Sequence, residues 1–189
     1  RDFLSANPGE TVLADVKCSK NFFDDIKKHG GNPIMYKTGH ANIKNKMKED
    51  KVKFGGEMSG HIFFGDRYFG FDDAIYGCAR FAEILSGTEK KCSEILADQP
   101  KMYSTPELRY DTEDDIKFQI VDKVRDSFIK EGYEVNAIDG MRVTFPDGWG
   151  LIRASNTQPV LVLRFEAVTE TRLKEIQSLL ENRLNELSK

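Results

Sequence analysis

The chain has 189 residues, 39% of them hydrophobic and 31% charged, a balance typical of a globular protein with a sizeable core. Its 28 basic and 31 acidic residues give a net charge of −3, which argues against nucleic-acid partners bound through a broad basic surface. No apolar run approaches the roughly 20 residues of a membrane-spanning helix, so we expect no membrane partner. Three cysteines without a CxxC pair argue against a disulfide framework or a zinc ribbon and favour a cytoplasmic protein.

Residues 1–97 alternate between short apolar runs and amphipathic segments. The predicted strands are 11–17, 33–36, 52–54 and 61–64; the predicted helices are one ending at 28 and capped by Ser19 or Asn21, then 40–50 and 72–85. Strands that alternate with helices are typical of βαβ units. We therefore predict an α/β three-layer domain with a mainly parallel mixed sheet. The chain starts at Arg1 rather than at methionine, and we expect it to be a fragment of a longer protein.

Residues 98–106 contain two prolines and are predicted to link this domain to a second one at 107–189. There the predicted elements are a helix at 113–130 capped by Asp111 or Thr112, strands at 133–138, 141–145, 149–154 and 160–168, and a helix at 170–187. The Asp139-Gly140 pair is a strong hairpin signal. We predict a smaller α+β domain with a four-stranded antiparallel sheet and two helices.

Gly55–His61 (GGEMSGH) is the most unusual segment of the first half. Its glycines let the backbone approach a ligand, while Glu57, Ser59 and His61 suit vicinal sugar hydroxyls. It is not a phosphate-binding P-loop, because His61 replaces the lysine that would follow the last glycine. The alternative is an ordinary glycine turn with solvated polar groups.

Arg153–Pro159 (RASNTQP) follows a predicted strand in the second half. An arginine holds phosphate with a rigid fork, and backbone N–H groups of a loop can add an anion nest. Arg153, Ser155, Asn156 and Thr157 are therefore candidate phosphate ligands. The alternative is a polar turn whose arginine makes a surface ion pair.

Lys17 and His40 are candidate catalytic residues, because ligands bind at the carboxyl ends of parallel strands. Lys17 ends the first predicted strand, and His40 begins a helix. The alternatives are a strand-end lysine reaching water and a simple helix-start residue. Asp72 and Asp73 are interpreted as helix-start acids rather than as a metal site.

Four motifs occur in an order that resembles the C-terminal half of the α-D-phosphohexomutase family, nearest its bacterial phosphomannomutase/phosphoglucomutase group. They are DVKCS (Asp15–Ser19), KTGHANIK (Lys37–Lys44), GGEMSGH and RASNTQP. The family has four domains, and this chain resembles the third and fourth. The family's phosphoserine loop, T-x-S-H-N-P, and its magnesium loop, D-x-D-x-D-R, are absent from this sequence.

The resemblance implies roles for the candidate residues. Glu57 and Ser59 would bind sugar hydroxyls, and His61 would touch either the sugar ring or its phosphate. Arg153, Ser155, Asn156 and Thr157 would hold the phosphate that is not reacting. Lys17 and His40 would act near the reacting end as electrostatic or acid–base helpers. It also implies an enzyme that interconverts hexose 1-phosphate and 6-phosphate of mannose, glucose or both. The intermediate would be a 1,6-bisphosphosugar formed by an enzyme phosphoserine.

The same resemblance implies Mg²⁺ in the full-length enzyme, glucose 1,6-bisphosphate as activator or intermediate, and no metal site in this chain. The partners would be a phosphohexose and the N-terminal domains of the same protein. We expect the fragment alone to be inactive. A non-catalytic sugar-phosphate-binding module is the alternative.

Overall fold

Strand β1 (Thr11–Asp15) lies in the interior of the first sheet, because its apolar side chains can be covered on both faces. The structure is a computed structural model that describes residues 1–188 and divides into two units, Arg1–Pro100 and a second one from Lys101 onward. The other elements of the first unit are α1 (Asp2–Ala6), α2 (Lys20–Lys28), β2 (Asn32–Tyr36), α3 (His40–Asp50), β3 (Phe54–Gly56), β4 (Ile62–Phe64), α4 (Ala74–Ser86) and a short 3₁₀ helix (Cys92–Glu94).

The strand order of this sheet is β2-β1-β3-β4. Strand β1 pairs in parallel with β2 and β3, whereas β4 is antiparallel to β3. Successive residues of β1 point to opposite faces, so Val12 packs in a cluster with α1 and α2, and Leu13 packs in a cluster with α3. This confirms the predicted three-layer α/β domain with a mainly parallel mixed sheet.

Helix α4 forms close to the predicted bounds. Ile75, Cys78 and Ala82, which are apolar and spaced three or four residues apart, would be expected on a buried face, but all three are exposed. The buried residue of this helix is Arg80, whose guanidinium lies 4.4 Å from the ring centroid of Phe64. Helix α1 was not predicted, because its five residues are too short to show a helical period.

The second unit is an antiparallel sheet covered by two helices. Its elements are β5 (Tyr103–Ser104), β6 (Leu108–Asp111), α5 (Lys117–Lys130), β7 (Glu134–Asn136), β8 (Met141–Phe145), β9 (Gly148–Ala154), β10 (Val160–Ala167) and α6 (Glu170–Leu187). The order is β5-β10-β9-β8-β7, and β6 also pairs with β10. This confirms the α+β class with four predicted strands. The sheet has six strands because β5 and β6 both add to β10, and β5 lies inside the segment predicted as a linker.

Helix α5 begins later than predicted, and the predicted cap is wrong. Its N-cap is Ile116, which makes no side-chain capping bond. Asp111 pairs with Val160 in the sheet and the Thr112 N–H donates to the Pro159 carbonyl, so neither residue is available to start a helix.

The core of the second unit is built on one face of α6. Leu173, Ile176, Leu180 and Leu184, three or four residues apart in the sequence, are buried against the strands and against α5. Within residues 1–188, we find no helix with both the length and the apolar character needed to cross a membrane.

Candidate functional site

Asp15, the last residue of β1, is a fully buried carboxylate that binds three loops. Its Oδ1 accepts from the Met58 N–H at 3.3 Å and from the Cys18 thiol at 3.1 Å, and its Oδ2 accepts from the Thr38 hydroxyl at 3.3 Å. The Nζ of Lys17 lies 4.0 Å from Oδ2 and is almost fully buried. The loops that follow β1, β2 and β3 therefore meet at the carboxyl ends of these parallel strands.

Glu57 lies in the loop between β3 and β4, and its carboxylate is buried. Its Oε1 accepts a 2.6 Å hydrogen bond from the Gly39 N–H, at the start of α3. The loop closes because the Glu57 N–H donates to the His61 carbonyl and the Gly60 N–H donates to the Glu57 carbonyl. Gly60 has φ +95°, a conformation that L side chains rarely adopt, so glycine is required for this turn. Ser59, at the tip, is exposed.

Two histidines share one carboxylate beside this loop. The Nδ1 of His61 lies 3.1 Å from Asp72 Oδ2, and the Nδ1 of His40 lies 3.7 Å from the same oxygen. The two rings stack with centroids 5.9 Å apart. The Nζ of Lys44 lies 3.2 Å from the other oxygen of Asp72. Partial burial would raise the pKa of Asp72, but its own backbone N–H and the Lys44 ammonium hold that pKa below its usual range.

A cavity of about 510 Å³ lies against these groups. Ser59, His61 and Asp72 supply polar atoms to its wall, while Ile62 and Phe81 supply apolar surface. A concave site with a few polar groups and apolar walls is the usual form of a small-molecule site.

Arg153 is the second-to-last residue of strand β9, beside the loop that follows the strand, and it is largely buried. Its Nε and Nη2 donate to Asp139 at 3.0 and 3.3 Å, and Nη1 takes no part in that pair. Asp139 lies in the predicted hairpin, where Gly140 has φ +77° and any Cβ would come within 2.5 Å of the Ile152 carbonyl oxygen. The turn therefore needs glycine, and it brings Asp139 onto Arg153.

Ser155 organises the loop after β9. Its Oγ accepts from the N–H groups of Thr157 and Gln158 at 3.3 and 3.2 Å, and its own N–H donates to the Val160 carbonyl. This turn leaves Asn156 and Thr157 exposed at the tip. A tight polar loop of this kind can present hydroxyl, amide and backbone donors to an anion.

Two basic side chains, those of Lys117 and Arg109, donate hydrogen bonds to Gln158 in the same loop. The Nζ of Lys117 donates to the Gln158 carbonyl at 3.1 Å and to Asp114 at 2.5 Å. Nη1 of Arg109 donates to the Gln158 side-chain oxygen at 2.8 Å. Lys117 is only 3% exposed, which is rare for lysine and indicates a structural task for its ammonium group.

The structure brings the sequence-predicted residues together within each unit. Lys17, His40, Glu57 and His61 lie around the ends of β1 and β3. Arg153 lies near the end of β9, and Ser155, Asn156 and Thr157 lie in the loop that follows it. Sequence reasoning missed Asp15, Asp72, Asp139 and Lys117 as supporting groups. Asp15 could have been recognised from the sequence, because it is a charged residue within an apolar predicted strand. Nothing in the sequence alone distinguishes Lys117 from an ordinary exposed lysine.

Within the described part of the chain, no group of three or more histidine, cysteine, aspartate or glutamate side chains could hold a metal ion.

Two family models match the chain. The model described as phosphoglucomutase/phosphomannomutase, alpha/beta/alpha domain III, matches residues 1–103. The model described as the C-terminal domain of the same proteins matches residues 107–182.

Longer proteins with these names are similar to the chain. A phosphomannomutase/phosphoglucomutase of Pseudomonas aeruginosa is 48% identical over 185 residues, which are 97% of this chain and 40% of that protein. A phosphoglucomutase of Neisseria meningitidis is 49% identical over 180 residues, covering 94% of this chain and 39% of its own length. The crystal structure of a phosphoglucomutase/phosphomannomutase family protein from Burkholderia thailandensis superimposes with a TM-score of 0.89 at 43% identity, covering 98% of this chain and 39% of that one. The chain thus spans about 40% of the length of the curated relatives it matches.

Proposed function

Because this chain belongs to the phosphoglucomutase/phosphomannomutase family, we propose that it supplies sugar and phosphate recognition to a phosphohexomutase. The whole enzyme interconverts hexose 1-phosphate and hexose 6-phosphate of mannose, glucose or both. The observation that carries the proposal is a pair of loops at which a charged side chain is held in place by a hydrogen bond within the protein. One presents a buried carboxylate held by the Gly39 N–H, and the other follows the end of β9, where a buried arginine is held by Asp139.

The sugar loop is proposed to hold adjacent hydroxyl groups. Glu57 uses Oε1 to accept from the Gly39 N–H, so the other oxygen of the same carboxylate serves the ligand. A charged acceptor makes stronger hydrogen bonds to hydroxyls than a neutral one. Ser59, at the exposed tip, and His61, in the cavity wall, add two further polar groups on the same loop.

The phosphate loop is proposed to hold the phosphate that does not react. Arg153 contributes its guanidinium, oriented by Asp139, and Ser155 shapes the turn that exposes Asn156 and Thr157. These are a charged donor and neutral donors, which suits a phosphate group. One site of hydroxyl recognition and one of phosphate recognition suit a substrate that binds in two orientations.

Lys17 and His40 are proposed to assist near the reacting end. Lys17 is a buried cation beside Asp15, and His40 stacks on His61. In the proposed reaction an enzyme phosphoserine gives its phosphoryl group to the sugar phosphate, and the resulting 1,6-bisphosphosugar returns its other phosphate to the serine. Such transfers depend on positioning and on charge stabilisation, which are the tasks assigned to this chain.

The proposal places the sugar site in residues 1–97 and the phosphate site in residues 107–189. It assigns the phosphoserine and the Mg²⁺ site of the enzyme to the N-terminal domains of the longer protein. A non-catalytic sugar-phosphate-binding module is the second candidate, because the polar groups of the two loops are of kinds that can bind hydroxyl and phosphate groups without any reaction.

A two-dimensional amide NMR titration of the chain with glucose 1,6-bisphosphate tests the recognition role. We expect shifts at residues 57–61 and 155–157, and we expect Asn156→Ala with Thr157→Val to remove the second set while leaving the first. These side chains are exposed, so the double variant leaves the core intact. Absence of any shift at millimolar ligand would contradict recognition by this chain.

A further inference from the structure

Asp72 lies beside both histidines of the sugar site and is not one of the groups proposed to bind the ligand. It precedes the α4 N-cap, Asp73, and is fixed by an isolated bridge between its backbone and that of Phe63. Its side chain is only 18% exposed, whereas those of His61 and His40 are 46% and 57% exposed. The Asp72 carboxylate is thus less exposed to solvent than the two imidazole rings that it contacts.

We propose that Asp72 is the positioning residue that fixes the tautomer and the orientation of His61. An ionised carboxylate can only accept hydrogen bonds, so the Nδ1 of His61, 3.1 Å from Oδ2, must carry a proton. In the neutral ring the lone pair then lies on Nε2. His61 is thereby prepared to accept a hydrogen bond or a proton from a ligand hydroxyl through Nε2.

Lys44 and His40 complete the arrangement. The Lys44 ammonium, 3.2 Å from Oδ1, occupies the other oxygen and favours the ionised carboxylate. His40 lies 3.7 Å from Oδ2, beyond hydrogen-bond distance, and stacks on His61. Asp72 therefore makes its hydrogen bond to His61 and an electrostatic contact to His40.

The neighbouring carboxylates are engaged elsewhere. Asp73 accepts from the Tyr68 hydroxyl and the Tyr76 N–H, and Glu57 accepts from the Gly39 N–H. Among the described residues, these contacts leave Asp72 as the carboxylate that faces the two rings. The same logic of a carboxylate orienting an imidazole operates in catalytic triads and metal-bound histidines.

The inference rests on the proposed function only for the identity of the ligand, and its test needs no ligand. Long-range ¹⁵N–¹H correlation spectra of the chain at about pH 9, where imidazole side chains are ordinarily neutral, report which ring nitrogen carries the proton. We expect the Nδ1–H form for His61 in the wild type. We expect Asp72→Ala, which removes the acceptor, to shift His61 toward the Nε2–H form.

Asp50→Asn is the matched control, since it removes a carboxylate of α3 that pairs with Lys46 instead. It should leave the tautomer of His61 unchanged. A wild-type His61 in the Nε2–H form would overturn the proposal, and so would an unchanged tautomer in a folded Asp72→Ala chain. If the alanine variant does not fold, the wild-type spectrum decides alone. A positive result here with no shifts in the bisphosphate titration would leave Asp72's role intact and reject the recognition function.

Discussion

The Glu57 carboxylate and the Gly39 N–H form a 2.6 Å hydrogen bond that joins the sugar loop to the first residues of α3. This bond brings two separate motifs of the sequence into one site, because Gly39 precedes His40. It also orients Glu57, whose second carboxylate oxygen is the one proposed to bind a ligand.

The first prediction concerns the charge of Glu57. Glu57→Gln retains an oxygen that can accept from Gly39 but removes the charge, and a hydrogen bond to a charged group contributes about 1.5–3 kcal/mol. We expect affinity for glucose 1,6-bisphosphate to fall by roughly tenfold to a hundredfold, measured by isothermal titration calorimetry. Glu49→Gln on α3, whose side chain is 70% exposed, should leave the affinity unchanged. Equal affinities for both variants would remove Glu57 from the site.

The second prediction concerns Asp15. Asp15→Asn replaces one acceptor oxygen by an NH₂ group that faces donors, so a buried donor loses its partner. We expect the free energy of unfolding of the first unit to fall by about 1–3 kcal/mol, measured by urea denaturation followed through the amide signals of β1. Asp24→Asn, which removes a half-exposed carboxylate on α2, should cost less than about 1 kcal/mol. A similar loss in both variants would show that the contacts of Asp15 contribute little.

The third prediction concerns Lys117. Lys117→Met keeps the apolar stem but removes the donor to the Gln158 carbonyl. We expect the amide signals of residues 155–158 to move and the unfolding free energy of the second unit to drop by about 1–3 kcal/mol. Trp149, the single tryptophan, lies in this unit and reports its unfolding by fluorescence. Lys123→Met, an exposed neighbour on the same helix, should do neither. Loop signals that stay in place would contradict the positioning role.

The fourth prediction is a pH dependence at the start of α4. The Tyr76 N–H and the Tyr68 hydroxyl hold the pKa of Asp73 below its usual range. The folded chain therefore favours the ionised form, so this stabilisation is present above the ordinary aspartate pKa of about 3.9 and is lost as the pH falls through the lowered value. Asp73→Asn still caps a helix but does not titrate. We expect the Tm difference between wild type and variant to shrink as the pH falls through this window, measured by circular dichroism. A constant difference would show that Asp73 does not contribute through its charge.

The fifth prediction is that the 189-residue chain alone does not interconvert glucose 1-phosphate and glucose 6-phosphate. The reason is that the proposed nucleophile and the metal site are assigned to other domains. A coupled assay with Mg²⁺ and glucose 1,6-bisphosphate measures the turnover. Turnover that co-purifies with the chain and is lost in Glu57→Gln would contradict the assignment.

The fold class was predictable because most elements carry a local pattern. The apolar residues of α6 repeat at helical spacing, the helix forms at the predicted bounds, and the Asp139-Gly140 turn forms the expected hairpin. Strands β5 and β6 were missed because they are short, lie beside prolines and are defined by pairing with β10, more than 45 residues later in the chain. A non-local contact of this kind leaves no period in the sequence.

The site was predictable only in part, for a similar reason. The residues from Glu57 to His61 and from Arg153 to Thr157 stand close together in the chain, so their chemistry was visible. Asp72 approaches His40 and His61 only through folding, and its position beside Asp73 looked like a helix start. Asp73 is indeed the N-cap, whereas Asp72 lies with the histidines.

The burial of Asp15 has a consequence for ligand binding. Three loops are joined to one fully buried carboxylate, so their conformational entropy is lost when the chain folds rather than when a ligand arrives. Binding to preorganised loops avoids the ordering cost that mobile loops impose on affinity. If the chain binds a sugar phosphate as proposed, both orientations of that ligand would meet loops that are already ordered, and the loops would not need to change conformation between them.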